Sequence, residues 1–471
     1  MSRGWKTACL IFALWSATGI ASQAQTFTTL HTFMLTDGAF PDGALVQGLD
    51  GDFYGTTSAG AKNSCYGGCG TVFKITSSGA LTTVHEFIGT DGITPQGLVL
   101  AGDGNFYGTT NENFYEITSE GTFINIVGIP PSTGNPPSIN PPLMQDTIDG
   151  NFYGTTPLGG THTSGTVFRI TPSGVLTTLR SFCNLKNCAD GGLPTAPLVQ
   201  GSNGCLYGTT RYGGSPGPNG TFFKIGTEGA LNVLYDFEFT DNFGNAVSGL
   251  IVGDDGNFYG TTEQGGTALC PGGFGCGTIF KITPEGAFTS VHAFDITDGA
   301  NPVTALIQAT DGNFYGTTSG TGSRGTCSGN NCGSVFELTP DGTLTTLHSF
   351  DKTDGMNPTA ALVQGTDGNI YGTTNGFIGQ HLYGTVFQLS TGLAPFVRTV
   401  PAGAYTHTQV LILGTNLTGA TSVTFNGKTA VFTVVSPTEI QATVPGNATT
   451  GAVQVVTPGG TLLSNVPFQV L

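Results

Sequence analysis

The 471-residue chain holds 75 Gly, only 9% charged residues and a formal net charge of −16. A chain this acidic and charge-poor excludes nucleic acid and anionic membrane surfaces as partners, because both demand clustered positive charge. Its apolar content of 38%, with 32 Phe and 13 Tyr, excludes disorder and can fill a large core.

Residues 1–24 read as a secretory signal peptide. Arg3 and Lys6 form a positive start, Leu10 to Trp15 open an apolar stretch too short to span a bilayer, and Ser22-Gln23-Ala24 supplies small residues for cleavage. Cleavage would take the net charge to −18 and leave 12 Lys and Arg. No later segment has 18 consecutive apolar residues, so no integral membrane segment is expected after cleavage. The expected location is secreted, extracellular or at the cell surface.

Residues 25–392 repeat one unit. Tyr-Gly-Thr-Thr begins at Tyr54, Tyr107, Tyr153, Tyr207, Tyr259, Tyr315 and Tyr371, at intervals of 53, 46, 54, 52, 56 and 56 residues. A period of about 50 marks a solenoid, a propeller or an array. The sixth copy displays the unit: apolar strands at 305–308 and 313–318 around Asp311-Gly312, a Gly-rich loop, then strands at 334–339 and 344–350 around Pro340-Asp341-Gly342. Asp-Gly between β-rich runs is a hairpin signal, and four short antiparallel strands repeated radially make a propeller blade. The seventh copy has three strands. The wording of its missing fourth, Leu344 to Phe350 in the copy before, recurs at residues 26–33 (Thr26-Phe27-Thr28-Thr29-Leu30-His31-Thr32-Phe33). The expected fold is all-β: a seven-bladed β-propeller closed by the N-terminal strand, then a small immunoglobulin-like β-sandwich.

The recurring words Asp-Gly-Asn-Phe-Tyr-Gly-Thr-Thr, Gly-Thr-Val-Phe-Lys-Ile-Thr-Pro and Leu-Thr-Thr-Leu-His-Ser-Phe resemble the GloVer family of extracellular bacterial tandem repeats, from residue 26 to about 390. The second copy departs most. Only Asn111-Glu112-Asn113 separates Thr110 from Phe114, and its fourth strand runs into a Pro-rich segment, Pro130 to Pro142. The resemblance implies export and a surface or extracellular role, without a defined reaction.

Residues 396–471 carry no copy of the repeat. Short alternating strands at 410–413, 422–425, 430–435, 439–444 and 452–456 are punctuated by Asn426-Gly427, Pro437, Pro445 and Pro458-Gly459-Gly460, the pattern of a small β-sandwich. Gly414-Thr415-Asn416-Leu417, Val423-Thr424-Phe425-Asn426-Gly427 and Ile440-Gln441-Ala442-Thr443-Val444-Pro445 are similar to the IPT/TIG immunoglobulin-like domain, which implies an accessory or spacing module.

Eight of the ten Cys form close pairs: Cys65/Cys69, Cys183/Cys188, Cys270/Cys276 and Cys327/Cys332. With an export signal these read as local disulfides. Zinc is the competing reading, but the pair spacings vary and no His-x-x-x-His lies near. Cys205 stands where other repeats carry Phe or Ile, and is expected to be a buried, inert thiol.

His31, His85, His292 and His348 share one repeat position, as do Lys74, Arg169, Lys224 and Lys281 on the third strand. A residue used in several copies belongs to the scaffold. Each Asp-Gly turn carries mostly one carboxylate, too few for calcium. Gly213-Gly214-Ser215-Pro216-Gly217 lies in a Gly-rich loop and lacks the strand-turn-helix setting of a nucleophile elbow. Gly427-Lys428-Thr429 is a hairpin tip, lacking the Gly of a phosphate loop. Trp occurs only at Trp5 and Trp15, which weakens sugar stacking. No catalytic residue, metal site or cofactor is assigned.

Variation between copies is more informative. The turns hardly change, whereas the loops between second and third strands, and between copies, vary widely and hold all four Cys pairs. Ligand contact is expected there, in loops 62–68, 211–219, 267–275, 324–331 and 377–383, through Tyr66, Tyr212, Phe274, Phe377 and Tyr383. The expected function is a secreted or cell-surface binding protein with an extracellular protein or glycan partner. The alternative is a secreted propeller enzyme acting on glycans, a lyase or hydrolase. Two or more carboxylates with Arg or His at the mouth of a central channel would favour the enzyme; an aromatic, uncharged variable face would favour binding.

Overall fold

Each repeat word occupies a fixed place in a four-stranded antiparallel sheet. In the first sheet the strands Val46–Gln47, Phe53–Thr57, Thr71–Ile75 and Leu81–Glu86 lie side by side in chain order. Five further copies are built likewise from consecutive strands. Another sheet combines Val363–Gln364, Ile370–Thr374 and Thr385–Ser390 with Thr26–Thr32 as its outer strand. This computed structural model describes residues 25–61, 65, 67–128, 142–215, 219–237, 248–267, 270, 275–320, 332–376 and 383–471; the signal-like residues 1–24 lie outside them. Among the described residues the chain is all-β, with a single short 3-10 turn at Lys186–Cys188.

The Tyr-Gly-Thr-Thr strand is buried along its whole length. In the sixth copy the Tyr315 hydroxyl donates to the Asp311 turn carboxylate at 2.9 Å. Gly316 lies under the ring of Phe336, whose Cζ would sit 2.6 Å from an added Cβ. Thr317 donates to the Pro358 carbonyl of the next sheet at 3.4 Å. Thr318 pairs with the third-strand Ser334 hydroxyl at 2.8 Å. The word therefore satisfies buried polar groups while leaving room for an aromatic ring.

The fourth strand is not a plain strand. In every sheet of this kind its pairing with the third strand shifts by one residue, as between Val72 and Phe73, which face His85 and Thr83 and leave Val84 unpaired. The same β-bulge recurs at Val167/Phe168, Phe222/Phe223, Ile279/Phe280 and Val335/Phe336, and the N-terminal strand repeats it between Thr29 and His31. A bulge sets two residues opposite one and re-aims a side chain. The extra residue, here Val84, Leu179, Leu234, Val291, Leu347 or Leu30, packs into an apolar cluster shared between neighbouring sheets. One such cluster joins Phe33, Phe53 and Phe73 to Tyr371 and Val386.

Inner strands are tied by glutamines. Gln308 Oε1 accepts from the Asp254 N–H, Gln364 Oε1 from the Thr310 N–H, and Gln47 Oε1 from the Thr366 N–H, each reaching another sheet.

Residues 398–470 form two four-stranded sheets. One is ordered Arg398–Val400, Gln409–Leu413, Glu439–Thr443, Val431–Val434; the other is ordered Lys428–Thr429, Ser422–Phe425, Val453–Thr457, Gly460–Leu463. They enclose one core of Val410, Ile412, Val423, Phe425, Ile440, Val453, Val455 and Phe468. This unit meets the Asp-Gly turn side of the repeats: Thr438 donates to the Leu49 carbonyl at 2.7 Å, and Thr415 and Thr366 share a hydrogen bond at 2.9 Å.

Candidate functional site

The segments that lead into the first strands converge. All seven repeats contribute such a segment to one cavity of about 320 Å³, within the size range of small-molecule sites. It opens on the side of the loops joining second to third strands, since Arg211 and Glu263, each directly after a Tyr-Gly-Thr-Thr word, line it. Most of the wall is small: Gly43, Gly97, Ala196, Gly249, Ala305 and Ala360.

Charge enters this wall at three places. The residue after Tyr-Gly-Thr-Thr is Ser58, Asn111, Pro157, Arg211, Glu263, Ser319 or Asn375, so only the fourth and fifth repeats place an ion there. Arg211 lies 3.6 Å from the Glu263 carboxylate, and among the described residues its guanidinium donates no hydrogen bond. Elsewhere ion pairs are tighter: Arg180–Asp190 at 2.5 Å and Lys281–Asp255 at 2.7 Å. Asp42, in the segment entering the first sheet, accepts a hydrogen bond from Asn375 of the last repeat. Solvent reaches Asp42, yet the surrounding segments enclose it. That enclosure raises its carboxyl above the ordinary carboxylate value, against hydrogen bonds from Ser58 and Asn375 that lower it. Solvent access tempers the shift.

Two of the aromatics expected to carry the ligand, Tyr212 and Tyr383, are among the described residues, and neither lines this cavity. Tyr212 is 45% exposed beside Arg211, its backbone paired with Gly192. Tyr383 is half-buried and sets its ring edge-on to Phe40, whose N–H donates to the Tyr383 carbonyl; its place is in the packing between first and last repeats. Tyr66, Phe274 and Phe377 lie outside the described residues. Disulfides join Cys65–Cys69, Cys183–Cys188 and Cys270–Cys276. Cys332 is disulfide-bonded, and Cys327 lies outside the described residues. Cys205 is a free thiol, half-buried rather than fully enclosed, packed against the cluster around Tyr207. Among the described residues no group of His, Cys, Asp and Glu is gathered for a metal ion, and no helix is long and apolar enough to cross a membrane.

The repeated histidines act as clasps. Nε2 of His31, His85, His292 and His348 lies 2.8–3.1 Å from Asp37, Asp91, Asp298 and Asp354, six residues on. The other carboxylate oxygen accepts the N–H that starts the loop, as Ile88 N–H does to Asp91.

Asp42 and Glu263 were not singled out by sequence reasoning, and Arg211 entered only as the end of a loop. The signal was available: a charge at a position that is otherwise neutral from copy to copy.

The repeat organisation is shared with known sequences. The family model described as the Gloeobacter/Verrucomicrobia repeat matches residues 17–135, 113–328 and 272–434. The chain belongs to the Gloeobacter/Verrucomicrobia repeat family. No curated protein sequence matches this member of the family. Among solved structures, a streptogramin B lyase is similar at 14% identity over 78% of this chain and 99% of that one, with a TM-score of 0.55. The virginiamycin B lyase of Staphylococcus aureus is similar at 14% identity over 78% and 98%, with a TM-score of 0.53. At such identity the likeness extends to the propeller-like fold alone.

Proposed function

We propose that this repeat-family member is an exported binding protein whose ligand enters the mouth of a central channel. In this reading residues 1–24 are a signal peptide and residues 25–392 form a seven-bladed propeller closed by the N-terminal strand. Residues 396–471 form an IPT/TIG-like sandwich serving as a spacer. Two features support closure: the N-terminal strand reproduces the bulge of the other outer strands, and Phe27 stacks on His348 at 3.6 Å as Phe123 stacks on His85 at 3.8 Å. The cavity is then the channel mouth on the variable face.

The observation that supports a site at this cavity, for binding or for catalysis, is the gathering of Asp42, Arg211 and Glu263, the charges that break the repeat pattern, around it. The partner is an extracellular glycan or protein. Thr195 is exposed to the cavity, so Thr195→Trp fills the mouth without disturbing the core. Ligands found on a glycan and protein array with the exported chain should be lost in that variant. Binding that survives it and maps to residues 396–471 would move the function to the sandwich.

A second reading, a glycan lyase or hydrolase, is favoured by two carboxylates beside an Arg at this mouth and by the raised carboxyl of Asp42, the shift expected of a proton-transfer group. Asp42→Asn should then abolish release of reducing ends or unsaturated products while sugar binding persists. Absence of turnover with the bound glycan would leave the binding role.

A further inference from the structure

Among the described residues, Arg211 is the only Lys or Arg lining the cavity. Its guanidinium is loosely held: among the described residues it has one ion-pair contact, with Glu263 at 3.6 Å, and no hydrogen bond. An Arg left so in a wall of small residues presents a planar fork of donors, which matches the two oxygens of a carboxylate. A monoanion also fits the surroundings better than a dianion such as phosphate, because Glu263 and Asp42 share the cavity and each added negative charge raises the repulsion. The rest of the wall offers hydrogen bonding rather than stacking. Gln96 Nε2 donates to the Thr94 carbonyl, leaving its Oε1 to accept, and the Thr195 hydroxyl has no partner among the described residues. The described lining includes no aromatic residue.

We propose that the cavity binds a sugar acid, its carboxylate held by Arg211 and its hydroxyls by polar groups of the mouth that include Thr195, Gln96 and Asp42. The inference rests on the channel-mouth reading and names the ligand class for it. The sugar acid is either free or the end of an acidic glycan; both offer one carboxylate on a hydroxylated ring.

The test is calorimetric titration of the exported chain with D-galacturonate, D-galactose, D-galactosamine and a galacturonate oligomer, repeated on Arg211→Ala, Arg211→Lys and Thr195→Trp, with thermal melting to verify that each variant is folded. Galacturonate should bind about tenfold or more tighter than galactose. Arg211→Ala should remove that preference, and Arg211→Lys should restore part of it. Tighter binding of the oligomer assigns the site to a glycan end, and equal binding to the free acid. Equal affinity for galactose, an Arg211→Ala variant that binds galacturonate unchanged, or no binding of galacturonate overturns the proposal. Galactose or galactosamine binding that vanishes in Thr195→Trp would overturn the sugar acid while keeping the channel mouth. Binding that survives Thr195→Trp would overturn the mouth itself.

Discussion

At the scale of single residues, the conserved-looking wording of the repeat is a record of packing and hydrogen bonding rather than of chemistry. Gly316 shows why. A methyl group there would lie 2.6 Å from Phe336 Cζ and 2.7 Å from Leu306 Cδ2, both fully buried. Gly316→Ala should therefore cost about 1–3 kcal/mol through overpacking, read as a lower midpoint in chemical denaturation; an unchanged midpoint would show that the ring can retreat. The His–Asp clasps make a different prediction. Partial burial lowers the His85 pKa from its ordinary value, only partly offset by hydrogen bonding and attraction from Asp91. The folded state thus binds its proton later than the unfolded chain as pH falls. Stability linked to His85 is present above pH ~6.5 and is lost as pH drops from there through the lower folded value. His85→Gln keeps a hydrogen-bond donor for Asp91 and cannot titrate, so thermal melts between pH 7 and pH 5 should show a shallower decline than in the parent protein. An equally steep decline would assign the acid sensitivity to other groups.

At the scale of elements, the outer strand explains the spacing of its own residues. Leu344 and Leu347 stand three apart and pack into clusters on opposite faces of their sheet, as alternation permits. The bulge at Val335/Phe336 leaves Leu347 unpaired and directs it to the next sheet's core. The N-terminal strand carries the same device at Leu30, and pairs along Thr385–Ser390 from Thr26 to Thr32. Deleting residues 25–33 would uncover that third strand and remove Phe33 from its cluster. The truncated chain should aggregate or melt at clearly lower temperature, because an unpaired edge templates further pairing. A melting temperature equal to that of the chain with residues 25–33 intact would refute the proposed closing role of this strand.

At the scale of the whole molecule, two units meet through a polar seam. Its hydrogen bonds include Thr438 with the Leu49 carbonyl, Thr415 with Thr366, the Phe396 N–H with the Thr366 carbonyl, and Arg398 with the Gln47 carbonyl at 3.4 Å, whereas the C-terminal core is made wholly of its own residues. A unit with its own core folds alone. Residues 396–471 expressed by themselves should unfold cooperatively as a β protein, followed by circular dichroism in denaturant. A broad, non-cooperative transition would mean that the turn face of the repeats completes the fold. The seam also leaves the two sides of the repeat unit unequal: the turn side bears the C-terminal unit, and the cavity opens on the other.

Periodicity alone determined the class of this protein. A word repeated at about 50 residues, Asp-Gly turns and a displaced fourth strand suffice to specify four-stranded sheets, because turn chemistry and strand alternation act over a few residues and are written locally. The close Cys pairs were legible for the same reason. The bulge was not, since it depends on how one sheet's outer strand meets the next sheet's core. Nor was the site. Asp42, Arg211 and Glu263 are far apart in the chain, and only the arrangement of the sheets brings their segments to one cavity. Exposed aromatics in variable loops drew attention because composition marks them, yet Tyr383 is spent on packing against Phe40. The position of a charge relative to the cavity is set by long-range contacts, and those exist only in the folded chain.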